Sequence, residues 1–191
     1  MVDTLLLTTR SSVPSGVAYL RSRFPADGWR AHPNYGQLTA FWLHVHANLR
    51  MGSAQLQEAL DAFRMDPCDP RAFGRRFAPG LAGFHQHLDA HHRIEDQAYF
   101  PKFRAIDPRM AIAFDMLESD HAIIHAAIER SLRSARQLLA SLDAGGDPVR
   151  FAADRHAHDS GRLSALLVRH LADEEDIVVP AMLEFGERSV A

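Results

Sequence analysis

Cysteine occurs once in this chain, at Cys68. A single thiol forms no disulfide within a chain and builds no cysteine-based zinc site, so a reducing, cytoplasmic setting is expected. Lysine also occurs once, at Lys102, which leaves arginine as nearly all of the 21 basic residues. That bias is read as base composition of the gene rather than as function. No apolar run approaches the about 18 residues a membrane span needs. Leu5, Leu6 and Leu7 alone are too few for the core of a secretion signal. Charge of one sign is missing too, because the formal net charge is only −3. That excludes the basic footprint of a nucleic-acid or anionic-membrane partner. Period-two alternation is absent, so strands are not expected.

What the chain has in excess is histidine: 12 residues, spread along its length rather than gathered in a tract. The 191 residues, 47% apolar and 24% charged, otherwise describe an ordinary globular domain large enough to bury a core.

Proline and glycine divide the sequence into helices. Residues 1–35, with Pro14, Gly16, Pro25, Gly28 and Pro33, read as an irregular arm with at most one short helix near Ser15 to Arg23. A helical pattern from Gly36 stops near Met65 at Asp66-Pro67-Cys68-Asp69-Pro70. A second runs from Pro70 to about Tyr99, with a kink expected at Pro79-Gly80. Asp107-Pro108 and Asp147-Pro148 each offer an N-cap followed by proline in the first turn. They open a third helix that ends near Asp143 before Gly145-Gly146, and a fourth that ends near Phe185. The expected fold is all-α, an antiparallel up-down-up-down four-helix bundle over residues 36–186 with a tail at 187–191.

Apolar positions at helical spacing define the inner faces. Helix one offers Trp42, His46, Leu49, Ser53, Leu56, Leu60 and Phe63. The second offers Phe84, Leu88, His91, Ile94, Glu95 and Ala98. Phe114, Leu117, His121, Ile124, His125, Ile128 and Leu132 line the third. The fourth presents Leu163, Leu167, His170, Glu174, Ile177 and Ala181. A lone histidine on such a stripe is more often a satisfied core residue than a ligand. Here every stripe carries one, and His91 with Glu95, like His170 with Glu174, lie four residues apart and so share a face. Buried carboxylates need a partner or a cation, and no Lys or Arg lies on these stripes. The chain also repeats: His91, Glu95 and Pro101 fall in register with His170, Glu174 and Pro180. His46 and His121 precede them as single anchors. Two hairpins, each giving one His and one His-x-x-x-Glu, make a pseudo-symmetric site for two metals.

The helix order and these motifs, His46, His91-His92-x-x-Glu95-Asp96 with Phe100-Pro101, Asp120-His121 and His170-x-x-x-Glu174-Glu175, resemble the hemerythrin-like (HHE cation-binding) domain family over residues 36–186. The resemblance implies two non-haem iron ions bridged by both Glu carboxylates and an oxo or hydroxo group. Zinc or a mononuclear site is the weaker alternative. His121-x-x-x-His125 reproduces a spacing found in the oxygen-carrying members. On helix four those carriers use a spacing of five, which Glu175 would satisfy, but Glu175 points about 140° from His170. Glu174 is therefore preferred.

The expected metal ligands are His46, His91, Glu95, His121, His125, His170 and Glu174, with no separate catalytic residue. His44 and His87 are expected at the surface, with a place behind His91 as the lesser alternative for His87, and His92 is expected to turn away from the site. His32, His85, His156 and His158 are expected to face solvent or to lie on the arm. A ferritin-like carboxylate site is disfavoured, since only Glu118-Ser-Asp-His121 has Glu-x-x-His spacing. Five imidazoles with two carboxylates favour a reduced iron pair that binds O2 or NO, or senses redox or iron state. The alternative is an enzyme that reduces peroxide or NO, or that serves iron–sulfur repair. The expected partners are O2, NO or peroxide, with a homo-oligomer left open.

Overall fold

A computed structural model describes residues 5–67 and 69–190. Cys68 and the start of the chain, on which two of the expectations above rest, lie outside the described residues. The chain is an all-α helical bundle, and no strand occurs among the described residues. Among them no helix is long and apolar enough to cross a membrane.

Helix α1 spans Gln37–Met65, α2 Pro70–Ile94, α3 Phe100–Ile106, α4 Ala111–Ser141 and α5 Gly146–Phe185. The expected starts shift slightly: Asp107 caps a 3-10 turn, Pro108–Met110, ahead of α4, and Asp147 lies inside α5, which opens at Gly146. Asp69 accepts a bond from the Ala72 amide at 2.8 Å, and Asp107 accepts one from Arg109 N at 2.9 Å. Gly145 and Gly146 both adopt positive φ, which glycine tolerates without steric cost, and α5 opens on them. Pro79 sits inside α2 and Pro180 inside α5 without ending either helix. The second helical stretch is less regular than its pattern suggests. After Ile94 a π-helical turn, Glu95–Tyr99, intervenes before α3, with the Phe100 amide reaching back to Glu95 O. Pro101, two residues on, has no N–H to offer the preceding turn.

The chain forms two compact units. One comprises residues up to Asn48, His91–Ile123 and Val168 onward; the other comprises Leu49–Ala90 and Ile124–Leu167.

In the first unit the arm is part of the core. Val13, Leu20, Phe24 and Trp29 are buried in one cluster with Trp42, Phe100, Phe103, Phe114 and Met182. Each fully buried phenylalanine there contributes about 1.5–3 kcal/mol. The stretch Ser15 to Arg23 is a series of turns rather than a helix, and the arm's regular element is a 3-10 turn at Ala26–Ala31. The start of α1 is held by a distant carboxylate: Glu187 accepts bonds from the amides of Gly36, Leu38 and Thr39. A Cβ at Gly36 would collide with that carboxylate, so the glycine permits the approach.

In the second unit, Phe63, Phe73 and Phe77 stack with centroids 4.0 and 4.7 Å apart. Here the structure corrects the sequence reading. His85 and His156, expected in solvent, are 5% and 0% exposed. The reason is periodicity: Leu81, His85 and Leu88 lie on one stripe, as do Val149, Ala153, His156, Ser160 and Leu163. His156 Nδ1 lies 3.1 Å from Ser134 Oγ. His85, His156 and Ser131 line a cavity with about 10 Å³ of room for a water centre. Both His85 nitrogens, His156 Nε2 and Ser131 Oγ there have no hydrogen-bond partner.

Candidate metal centre

The first unit gathers its histidines and carboxylates where stretches of four helices meet. The π turn and the end of α2 set the geometry of one side. On α2 the inward direction runs through Leu88 and Glu95, both buried. His91 and His92, about 100° apart, fall on either side of that line. Both therefore reach the centre from opposite flanks. Taking His91 as the middle of the stripe turns His92 away, which is why the sequence reading excluded it. For the same reason Ile94, expected inside, is 53% exposed; Ala98 is exposed too.

Two groups of donors result, each with ligand atoms within 4.8 Å of one another: His92, Glu95, His121 and His170, and His46, His91, Glu95 and Glu174. Glu95 belongs to both. Its Oε1 lies 3.0 Å from His91 Nε2 and its Oε2 lies 3.6 Å from His121 Nε2. Glu174 spans the groups in the same way, with Oε1 at 3.5 Å from His46 Nε2 and Oε2 at 3.3 Å from His170 Nε2. Trp42 Nε1 donates to Glu174 Oε1 at 2.8 Å and so fixes which way that carboxylate faces.

The outer ring nitrogens are tethered. His46 Nδ1 lies 3.0 Å from Glu175, His121 Nδ1 2.8 Å from Asp96 and His170 Nδ1 3.3 Å from Asp120. A carboxylate can only accept, so each Nδ1 donates and each Nε2 faces inward, where it can offer a lone pair to a cation that displaces its proton. His121 Nε2 and His170 Nε2 accordingly face each other at 3.1 Å. Six buried atoms at the centre have no hydrogen-bond partner: Nε2 of His46, His91 and His92, both oxygens of Glu95 and Oε2 of Glu174. Five imidazoles and two carboxylates converging on one buried centre, six of their atoms unpartnered, fit a cation better than a hydrogen-bonded core. Imidazole and carboxylate without thiolate suit first-row divalent ions.

The electrostatics of the cation-free cluster agree. Burial opposes the charged form of His46, but the nearby carboxylates of Glu174, Glu175 and Glu95 more than offset it and hold its pKa well above the imidazole range. Burial likewise opposes charge on His170, and Asp120 and Glu174 overcome it, lifting that imidazole to about 9. Glu174 is held well below the carboxylate range by His46 and His170 against the opposing effect of burial. Protons thus stand where a metal would. His92 goes the other way: burial, then His121, His170 and His91, push it well below its ordinary value.

Of the seven residues singled out from sequence, His46, His91, Glu95, His121, His170 and Glu174 fall within these groups. His125 does not. Its side chain is 59% exposed, 3.6 Å from Asp89 and 3.9 Å from Glu129. The inward face of α4 runs through Leu117, His121, Ile124 and Ile128, all buried. His125 lies about 40° beyond His121 on the outer side of that face. The fifth imidazole within the two donor groups is His92. His44 pairs with Asn48, and His87, considered as a neighbour of the site, is exposed.

Sequence reading also missed the layer behind the ligands. Asp120 and Asp173 are 1% and 0% exposed, and their counter-ion is Arg10, from the arm. Asp96 and Asp120 could have been found by asking which carboxylates reach the far nitrogen of each histidine. Arg10 could not, because nothing local ties residue 10 to residues 120 and 173.

Compared with curated proteins and with solved structures, the chain finds no match. A family model does match, over residues 37–182, and it covers each of the donors described above. The chain belongs to the hemerythrin HHE cation-binding domain family.

Proposed function

We propose that this protein holds two non-haem iron ions and uses them to bind O2 or NO, or to report redox or iron state. The observation that supports two ions rather than one is the division of each bridging carboxylate, with Glu95 and Glu174 each turning one oxygen to either group. A single ion would leave one group's nitrogens without a partner.

Iron there would supply reversible or one-electron chemistry toward a diatomic ligand. The chain's own residues set the terms. One group offers three imidazoles and the shared Glu95, and the other offers two imidazoles and both carboxylates. Five neutral imidazoles against two carboxylates favour the reduced, divalent state. His91 is the one donor that is not fully buried, so the second group is the side that a small ligand reaches. Trp42 packs edge to face on Tyr99, with centroids 5.0 Å apart, and on His91 at 6.5 Å. Tethers on Nδ1 of His46, His121 and His170 hold the rings so that a change of charge at the centre needs little reorganisation.

Anaerobic reconstitution with ferrous iron, followed by absorption spectra on adding O2 or NO, tests this reading. A visible band that appears with gas and disappears under argon is expected. Spectra that do not respond to either gas would overturn the gas-binding part. Steady consumption of added peroxide would replace binding with the enzyme reading.

A further inference from the structure

Arg10 reaches the metal centre from outside all four long helices. Its side chain is 1% exposed. The guanidinium grips both oxygens of Asp120, Nη1 at 2.9 Å and Nη2 more closely. Nε donates to Asp173 Oδ2 at 2.7 Å, and Nη1 also donates to Leu5 O at 2.6 Å. Asp173 is bound in turn by Arg169, whose other nitrogen bonds Ser11 O. The arm is therefore fastened to residues 120, 169 and 173, and His170 lies among them.

We propose that Arg10 is a positioning residue for the metal centre, so that docking of the N-terminal arm and loading of metal are linked. The inference rests on the reading of the cluster as a metal site. Asp120 Oδ2 is the atom that faces His170 Nδ1, and through that bond it aims His170 Nε2 at His121 and Glu174. A carboxylate as deeply buried as Asp120 stays there only if its charge is matched. Arg10 matches it, and its planar fork spans Asp120 and Asp173 together, which a point charge cannot do. Without Arg10, Asp173 keeps Arg169, but Asp120 loses its counter-ion and turns toward water, and His170 loses the acceptor that orients it.

The linkage has a definite sign. A cation held at His170 Nε2 would fix the ring with Nδ1–H directed at Asp120. That stabilises the placed Asp120, and with it the docked Arg10. Coupling is reciprocal, so whatever factor metal contributes to arm docking, the arm contributes to metal affinity. An arm that only covers the core would show no such exchange.

Two measurements on the full chain test this, with Co(II) and Fe(II) as probes. In the unsubstituted protein, amide exchange across residues 5–24 is followed with and without metal; the expected result is slower exchange when metal is bound. Co(II) titration then compares wild type with Arg10→Met and Arg10→Lys. Arg10→Met is expected to weaken Co(II) binding by about 10- to 100-fold and to alter the Co(II) visible spectrum, with Arg10→Lys recovering only part of the affinity. Should Arg10→Met fail to fold, the wild-type exchange comparison and Arg10→Lys still decide. Arm exchange that ignores metal, with the same Co(II) affinity and spectrum in the variants, would overturn the linkage and leave the metal site standing. Wild-type protein that binds neither ion would overturn the metal reading and the linkage together.

Discussion

Each of the two units buries histidine, but in different company. In the first, His46, His91, His92, His121 and His170 meet Glu95 and Glu174, with Glu175, Asp96 and Asp120 behind them. In the second, His85 and His156 meet Ser131, Ser134 and Ser160, with no carboxylate lining the cavity. Both sets leave ring nitrogens without partners. The ionisation differs. Carboxylates lift His46 and His170 against the effect of burial. Burial pushes His85 down to about 4, helped by His156, and pushes His156 down to about 4, with Asp159 opposing. Orphan nitrogens alone therefore do not make a metal site. A dication in the serine-lined cavity would have no anion to match it, whereas the room there suits a molecule no larger than water.

The comparison breaks most sharply at Glu95. Glu95→Ala removes a carboxylate that both donor groups share, and is expected to abolish stable metal binding and the rise in melting temperature that metal confers. Elemental analysis showing full metal content in that variant would mean that the groups do not depend on a shared carboxylate.

In the metal-free protein acid should act on the serine-lined pair as well as on His92. The pair's folded pKa values lie below the unfolded value of about 6.5, so the unfolded chain binds more protons between the two. Stability is then intact above about pH 6.5 and falls as pH drops toward 4, by up to about 3 kcal/mol per histidine. Denaturant unfolding at pH 7, 5.5 and 4.5 measures this, and the His85→Leu/His156→Leu double variant should flatten the slope. An equally steep loss in the double variant would assign acid sensitivity to other groups. The same variant should load as much metal as wild type, since its sites lie outside both donor groups.

Trp42→Phe keeps the ring but deletes the donor to Glu174. It is expected to cost about 1–2 kcal/mol through the unmatched carboxylate oxygen and to leave two metal ions bound. The smallest effect is expected at His125. His125→Leu should change neither metal content nor spectrum, and stability by no more than about 0.5 kcal/mol. Loss of one metal equivalent would return His125 to the ligand set and sharpen the comparison differently.

Much of this was legible in sequence, for reasons that also explain the rest. Pro and Gly mark changes of backbone conformation, and the ends at Met65 and Pro70 were read from them, while the fourth long helix was placed to start at Asp147-Pro148 and opens at Gly146. The His-x-x-x-Glu pairs report a shared helix face whatever the tertiary structure. The His91/His92 choice needs the rotation of a helix about its axis, and an error of about half a residue step reverses it. His125 was misplaced by the same uncertainty on α4. The π turn after Ile94 leaves no mark beyond Pro101, and Arg10 is joined to Asp120 only by folding. The buried pair His85 and His156 was visible in the stripes; the serines around them disguised the positions as polar surface.

The claim at the centre of this account is that Glu95 and Glu174 hold two metal ions between them in one unit of the chain. The most direct test is the metal stoichiometry of the unsubstituted protein after anaerobic reconstitution with ferrous iron and removal of unbound metal. Two equivalents per chain are predicted, while a saturating value of one, or none, would contradict it.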